Sequence, residues 1–485
     1  MKKVYKKNQK GITLIGLVVT IIVLLILAGV SLRLVTGNNG ILKRAENAVT
    51  SSNDANDKEE IELAISALSI AYYDNFETNQ NETFKNFILK KCENETIPTD
   101  TGGNLKTNNG KLIYTNSKGE TKYVELLDNG SIAKIDSLTN STESLNVIYM
   151  IGDGMGKNHI KAAEINKGSP IYMQTIPNQT DVTTYSLSVS QYGEYATDSA
   201  AAATALATGV KTINYYVGKD ENQNNVQNLT EYAHSIGMKT GTISTQTICH
   251  ATPAGFTTHA SNRNNYSTIA ERQVTEQEVD LMLGGGQQYY DSLTEQMLAH
   301  EYNYITDFSE LSKYNKNQKV IGAFSWGRMT QDSSNGSPIN AEPSLVQMTQ
   351  AAFSRLENEN GFLVMIEGSD IDTYSHIYDR SMTNMLNELY AFDNAIKVAM
   401  DYVDTHPNTI LIVTADHETG GLNLENVTTK EQLTDDLFTN YNHTNENVMV
   451  YAYGRDTEQL TNHGTIDNTD IHNFIKQKLQ ASNES

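Results

Sequence analysis

Cysteine is almost absent from the chain. Cys92 and Cys249 are the only two in 485 residues, and they lie far apart. This excludes a disulfide framework and any cysteine zinc motif. Positive charge is also short. The 36 Lys and Arg stand against 58 Asp and Glu, leaving a net charge of −22. That balance argues against a nucleic-acid binder working through a broad basic surface, and no nucleic-acid partner is expected. An anionic substrate would need a local positive field built from metal ions, arginine or backbone N–H groups. No internal repeat is visible. With 38% hydrophobic and 19% charged residues, most of the chain should be globular, and its length leaves room for more than one domain.

The longest stretch without charge lies near the N-terminus. Lys2, Lys3, Lys6, Lys7 and Lys10 precede 21 uncharged residues, Ile12 to Leu32. Such a run can span a bilayer as a helix. The lysines before it predict a cytoplasmic N-terminus, with the rest of the chain outside the cell membrane. A secretory signal peptide is the rival, although its apolar core is usually shorter. The segment Lys10-Gly11-Ile12-Thr13-Leu14-Ile15-Gly16 resembles the N-terminal signal of type IV prepilins and pseudopilins. The resemblance implies cleavage after Gly11 by a prepilin peptidase, with the apolar helix retained. Members of that family usually carry Glu where this chain has Gly16, which argues against assembly into a fibre.

Gly37-Asn38-Asn39-Gly40 should break the first helix. Ile61, Ile65, Leu68 and Tyr72 then recur at helical spacing. Lys111–Thr115 and Lys122–Leu127 read as a hairpin around Ser117-Lys118-Gly119. The polar stretch from Asp136 to Ser144 reads as a linker. The expected organisation is a leader over 1–11, a transmembrane or pilin-like helix over 12–35, a small α+β stalk over 36–136, a linker over 137–145 and a catalytic domain over 146–485.

From Asn146 onward apolar runs alternate with helical stretches. Val147–Ile151, Thr240–Ser244, Phe362–Ile366, Thr409–Val413 and Val448–Tyr451 read as strands. The alternation predicts an α/β fold with a doubly wound, mostly parallel central sheet and helices on both faces. Ligands in such folds bind beyond the carboxyl ends of the strands, and the polar residues of interest fall there. Asp153 follows the first of these strands within Gly152-Asp153-Gly154-Met155-Gly156. Glu367, Asp372 and His376 follow another within ten residues, and Asp416-His417 ends a third. Ser199 opens the small-residue run Ala200–Ala203. It stands where a helix N-terminus offers unpaired N–H groups, and Gly209 can end that helix. Carboxylate and imidazole suit zinc, and oxygen-only sets suit magnesium.

Taken together, Ile-Gly-Asp-Gly-Met-Gly at 151–156, Thr-Asp-Ser-Ala-Ala at 197–201, Ala-Thr-Pro-Ala at 251–254, Glu-Gly-Ser-Asp-Ile-Asp at 367–372 and Thr-Ala-Asp-His at 414–417 resemble an alkaline phosphatase across residues 146–480. The resemblance implies hydrolysis of phosphate monoesters through a phosphoserine intermediate, with two zinc ions and one magnesium per chain. It makes Ser199 the nucleophile and Arg263 the clamp on two phosphate oxygens. Asp372, His376 and His443 would hold the first zinc. Asp416, His417, Asp153 and the Ser199 oxygen would hold the second. Asp153, Thr252 and Glu367 would hold magnesium. His463 competes with His443, but Val448 to Gly454 resembles the strand that follows the family's last zinc ligand, which favours His443. His250 and Thr373 stand where the family varies, near the phosphate and the third metal. A homodimer is compatible with this reading. Two alternatives stand beside it: a phosphodiesterase, sulfatase or phosphoglycerate mutase of the same superfamily, and a pilin-like structural subunit with a non-catalytic domain. The Thr-Asp-Ser-Ala segment and Arg263 favour the monoesterase.

Overall fold

The computed structural model describes residues 52–74, 83–99, 102–108, 111–117, 121–127, 130–137, 144–330 and 342–483. The leader, the apolar run Ile12–Leu32 and the Gly37–Gly40 break lie outside these. Among the described residues no helix is long and apolar enough to cross a membrane. The chain divides into two compact units, Met1–Thr139 and Asn140–Ser485.

The first unit holds helices α1 (Ser52–Asp74) and α2 (Phe84–Asn94) and strands β1 (Ile97–Pro98), β2 (Asn104–Asn108), β3 (Lys111–Thr115), β4 (Thr121–Leu126) and β5 (Ile132–Ser137). The apolar stripe of α1 is buried at Ile61, Ile65, Leu68 and Tyr72. Ile61, Ile65 and Leu68 share a core with Ile88 and Cys92 of α2 and with Leu105, Leu112 and Val124 of the sheet, and Tyr72 packs against the rings of Phe84 and Phe87. The strands run in order as an antiparallel meander. Two expectations need correction. Asp136 and Ser137 lie in β5, paired with Tyr123 and Lys122, so the polar stretch does not begin as a linker. The helix α2 also stands where no element was expected. It is capped by Thr83, whose hydroxyl accepts from Asn86 N at 3.2 Å.

The second unit is built on a ten-stranded sheet. Its strands are β6 (Asn146–Gly152), β7 (Asn178–Thr183), β8 (Lys239–Thr247), β9 (Leu281–Gly285), β10 (Tyr302–Ile305), β11 (Lys319–Ala323), β12 (Phe362–Gly368), β13 (Thr409–Ala415), β16 (Val448–Gly454) and β17 (Ile466–Asp467). The order is β10-β11-β9-β8-β12-β6-β13-β16-β7-β17. Of these, β16 alone runs against its neighbours, antiparallel to both β13 and β7. A small ribbon, β14 (Glu418–Thr419) with β15 (His443–Thr444), stands apart from the sheet. Every residue of β12 and of β13 is buried, as expected for central strands covered on both faces. The main helices are α3 (Lys157–Lys167), α4 (Ser199–Thr208), α5 (Ala251–Thr257), α6 (Leu345–Leu356), α7 (Met382–Thr405) and α8 (Asn468–Asn483).

The adjacent strands β8, β12, β6 and β13 point their carboxyl ends to one edge of the sheet. Helix α4 is buried over its whole length. Its small side chains let α5 approach closely: a Cβ on Gly255 would lie 2.9 Å from that of Ala203. Gly209 ends α4 in the left-handed region at φ 71°, which glycine adopts without strain.

Candidate active site

Asp153 and Asp416 fall just past the last paired residues of β6 and β13, whereas Glu367 lies within β12, opposite Ile151 and Ser244. Asp153 follows β6, and its N–H donates to Gly368 O at 3.1 Å. Gly154 has φ +72°, and a Cβ there would sit 2.8 Å from both Asp372 Cβ and Thr419 Oγ1. Only glycine lets this turn come so close to its neighbours. The Gly154 N–H donates to Asp416 Oδ1 at 3.0 Å, and the His417 N–H donates to the same oxygen at 2.9 Å. Asp416 Oδ2 therefore faces inward, 3.1 Å from His417 Nε2, with Asp153 Oδ1 3.5 Å from that nitrogen.

Ser199 is the first residue of α4 and is buried, with Oγ 3.2 Å from His417 Nε2. Asp198 is the cap of this helix. Its Oδ1 accepts from Ala201 N at 2.9 Å, and its Oδ2 accepts from Arg263 Nη1 and Tyr215 N, each at 3.1 Å. Arg263 is thus brought over the helix N-terminus by a carboxylate that sequence reading did not single out. Its Nη2 donates to His250 Nε2 at 3.1 Å. In that pairing Nδ1 of His250 carries the proton, and it is buried without a partner.

His376 Nε2 lies 3.3 Å from Asp372 Oδ2 and 3.1 Å from His443 Nε2. His443 Nε2 is 3.5 Å from Asp372 Oδ1. Its Nδ1–H donates to Thr197 O at 2.8 Å, which leaves the Nε2 lone pair facing inward. Thr419 sets His417 in the same way. Its hydroxyl donates to Asp372 Oδ1, so its oxygen can only accept from His417 Nδ1–H at 3.3 Å. Partners of this kind fix tautomer and orientation in metal-ligating histidines. His463, by contrast, is exposed and belongs to no ligand group among the described residues.

The ligand atoms gather into three groups, each with its atoms within 4.8 Å of one another: Asp372, His417 and His443; Asp153, Asp416 and His417; and Asp153, His250 and Glu367. His376 adjoins the first through Asp372 and His443. In the third, His250 stands beside the oxygen ligands, where an oxygen-only set was expected. Thr252 and Glu367 are both fully buried, and Ser244 donates to Glu367 Oε2. Thr373 turns away from the groups and donates to Asp370 Oδ1 at 2.8 Å.

Whether metal ions fit can be judged from the polar atoms. Asp153 Oδ1, Asp416 Oδ2, Glu367 Oε1 and Thr252 Oγ1 are buried with no hydrogen-bond partner. Buried oxygen is normally satisfied, and the three carboxylate oxygens, from residues that share ligand groups, fit cations. The electrostatics agree. Burial, with the charges of Asp416 and Asp372, pushes Asp153 well above the usual carboxylate range. Burial pushes Glu367 up to about 8. Burial also raises Asp372, but His376 and His443 outweigh it and hold that carboxyl well below its ordinary value. His443 is pulled down to about 4 by burial and by His417, so it is neutral and free to ligate near pH 7.

Residues 144–437 match the sequence family described as Alkaline phosphatase. Alkaline phosphatase 4 of Bacillus subtilis is 36% identical over 303 residues, covering 59% of this chain and 64% of that protein; the chain thus spans a little under two thirds of it. Alkaline phosphatase of Escherichia coli K12 is 30% identical over 385 residues, 68% of this chain and 80% of the relative. Among solved structures, alkaline phosphatase from the Antarctic bacterium TAB5 superposes with a TM-score of 0.61 at 29% identity, over 70% of this chain and 98% of that one. A His-to-Glu variant of that enzyme has Mg bound in its M3 site. With the sheet, the three ligand groups and this match over more than half its length, the chain belongs to the alkaline phosphatase family.

Proposed function

We propose that the chain hydrolyses phosphate monoesters by way of a phosphoserine. The observation that carries this reading is Ser199 Oγ, at a helix N-terminus, 3.2 Å from His417 and flanked by three convergent ligand groups. Asp372, His376 and His443 would hold one zinc. Asp153, Asp416 and His417, with Ser199 Oγ, would hold a second. Asp153, Thr252 and Glu367 would hold magnesium, with His250 beside it. When bound, paired metal ions supply Lewis acidity for the attacking and leaving oxygens of an in-line displacement.

The chain's own residues do the rest. Ser199 Oγ forms a bond to phosphorus as the ester P–O bond breaks, and the serine proton passes through solvent to the departing alkoxide, which leaves as the alcohol. Water then cleaves the phosphoserine and restores the hydroxyl. Arg263 offers a planar fork to two phosphoryl oxygens, and Asp198 holds it in place. The N–H groups at the start of α4 face the same anion. Together they supply the positive field that a chain of net charge −22 lacks elsewhere. The apolar run Ile12–Leu32 after five lysines supports an extracytoplasmic catalytic domain tethered to the membrane.

The test is turnover of p-nitrophenyl phosphate by the metal-loaded chain, with acid trapping of labelled phosphate. Ser199 should carry the label and Ser199→Ala should carry none. Label on another residue, or turnover of bis-p-nitrophenyl phosphate or p-nitrophenyl sulfate in its place, would replace this reading.

A further inference from the structure

The ribbon β14–β15 has two faces. Glu418 pairs with Thr444 and Thr419 with His443, and successive side chains in a strand point to opposite sides. Thr419 and His443 face Asp372. Glu418 and Thr444 face the other way and line a cavity of about 730 Å³, within the size range of small-molecule sites.

The wall of that cavity is rich in amides. Asn158, Asn423, Asn440, Asn445 and Asn447 all line it. Some of their atoms hold loops: Asn158 donates to Leu422 O, and Asn440 donates to the Tyr195 hydroxyl at 3.2 Å. Others have no protein partner among the described residues, namely the amide nitrogen of Asn423, the carbonyl oxygen of Asn445 and both ends of Asn447. The Asn447 amide sets a free donor beside a free acceptor, which matches two neighbouring hydroxyls on a sugar ring, and Asn423 and Asn445 add a single donor and a single acceptor. Tyr195 also lines the cavity and is 68% exposed, offering a ring face for the C–H surface of such a ligand. Net charge on the wall is unsuited to an anion. Among the described residues Lys157 is its one cation and is paired with Asp181 at 3.0 Å, while Glu418 and Glu446 are its acids. Glu418 already accepts from Gly421 N, Leu422 N and the Thr444 hydroxyl.

We propose that this cavity is a saccharide-binding subsite. Its ligand chemistry is the neutral hydroxyls of a sugar, supplied either by a free saccharide or by the alcohol part of a phosphorylated one. The second source rests on the phosphatase reading of the neighbouring site; the first does not.

The experiment titrates maltotriose into the metal-loaded full chain by calorimetry, for wild type, Asn447→Leu and Asn423→Leu. Asn423 is exposed and Asn447 partly so, and far-UV circular dichroism checks each fold. Saturable binding is expected, weakened about threefold to tenfold in each variant, the effect of losing one or two neutral hydrogen bonds. A second arm measures kcat/KM for glucose 6-phosphate relative to p-nitrophenyl phosphate. A ratio that falls in the variants assigns the subsite to the sugar of the substrate. An unchanged ratio with weakened maltotriose binding assigns it to a free saccharide. Absence of saturable binding, or equal binding in all three proteins, together with an unchanged ratio overturns the proposal. No turnover by the wild type would refute the phosphatase reading and leave the titration to decide the subsite by itself.

Discussion

Replacing Glu367 with glutamine should stabilise the metal-free protein at neutral pH and weaken its hold on metal. Glu367 is fully buried, between Ser244 and a cluster of carboxylates, and its carboxyl is pushed up to about 8. In the unfolded chain it would ionise near its ordinary value of about 4.3. A raised folded value means that the folded state binds the proton more tightly. The resulting stability is fully present below about pH 4.3 and is lost as pH rises toward 8. Between pH 4.3 and 7 the loss is about 3 kcal/mol for this group. Glutamine keeps the size and stays neutral, so the variant should escape that loss. Its urea midpoint without metal should exceed that of wild type at pH 7 and match it near pH 4. The two proteins should also differ in proton release. A carboxyl titrating near 8 is about nine-tenths protonated at pH 7, so metal binding should expel nearly one proton from Glu367. Calorimetry in buffers of different ionisation enthalpy reads that number directly. A variant less stable than wild type at pH 7 without metal, or one that releases as many protons as wild type on loading, would refute the argument.

Arg263→Ala should raise the inhibition constant for inorganic phosphate by about tenfold to a hundredfold, the effect of losing about 1.5–3 kcal/mol of charge-assisted hydrogen bonding; equal constants would place Arg263 away from the anion. Asp198→Asn keeps a good helix cap but loses the charge facing Arg263, so a smaller rise is expected, read in the same assay. His443→Ala should lose zinc on dialysis while His463→Ala keeps it, with metal per chain measured by atomic absorption; the reverse pattern would overturn the choice of ligand. Activity should be low in mild acid and rise into the alkaline range. Burial lowers His417 and His376, but Asp416 and Asp372 respectively outweigh it and raise both, so protons compete with metal above the ordinary histidine value. A flat rate from pH 6 to 9 at saturating zinc and magnesium would contradict this.

Much of the site could be read locally. Asp153, Glu367 and the pair Asp416-His417 each follow an apolar run, and a parallel strand must end in a turn at the edge where ligands bind. The uninterrupted runs at 147–151, 362–366 and 409–413 encode burial on both faces whatever the strand order. Gly209 announces the end of α4, because few other residues tolerate that backbone. The small side chains of α4 likewise announce a close neighbour.

Other features depended on segments far apart in sequence. Nothing near Val448–Tyr451 says that β16 runs against β13; that follows from the route taken by residues 416–447. Asp198 reads as a simple cap, and its second oxygen gains meaning only when the turn after α5 brings Arg263 to it. Thr419 looks like a loop residue until Asp372, 47 positions away, accepts its proton and so sets the tautomer of His417. His443 and His463 both precede plausible elements, and only the pairing of β15 with β14 carries one of them to His376. In each case the sequence by itself determined which side chains could hold a cation or an anion, because that chemistry belongs to the residue. Which of them share one point in space was decided by the tertiary structure, because hydrogen-bond register and packing act between segments that the linear order keeps apart.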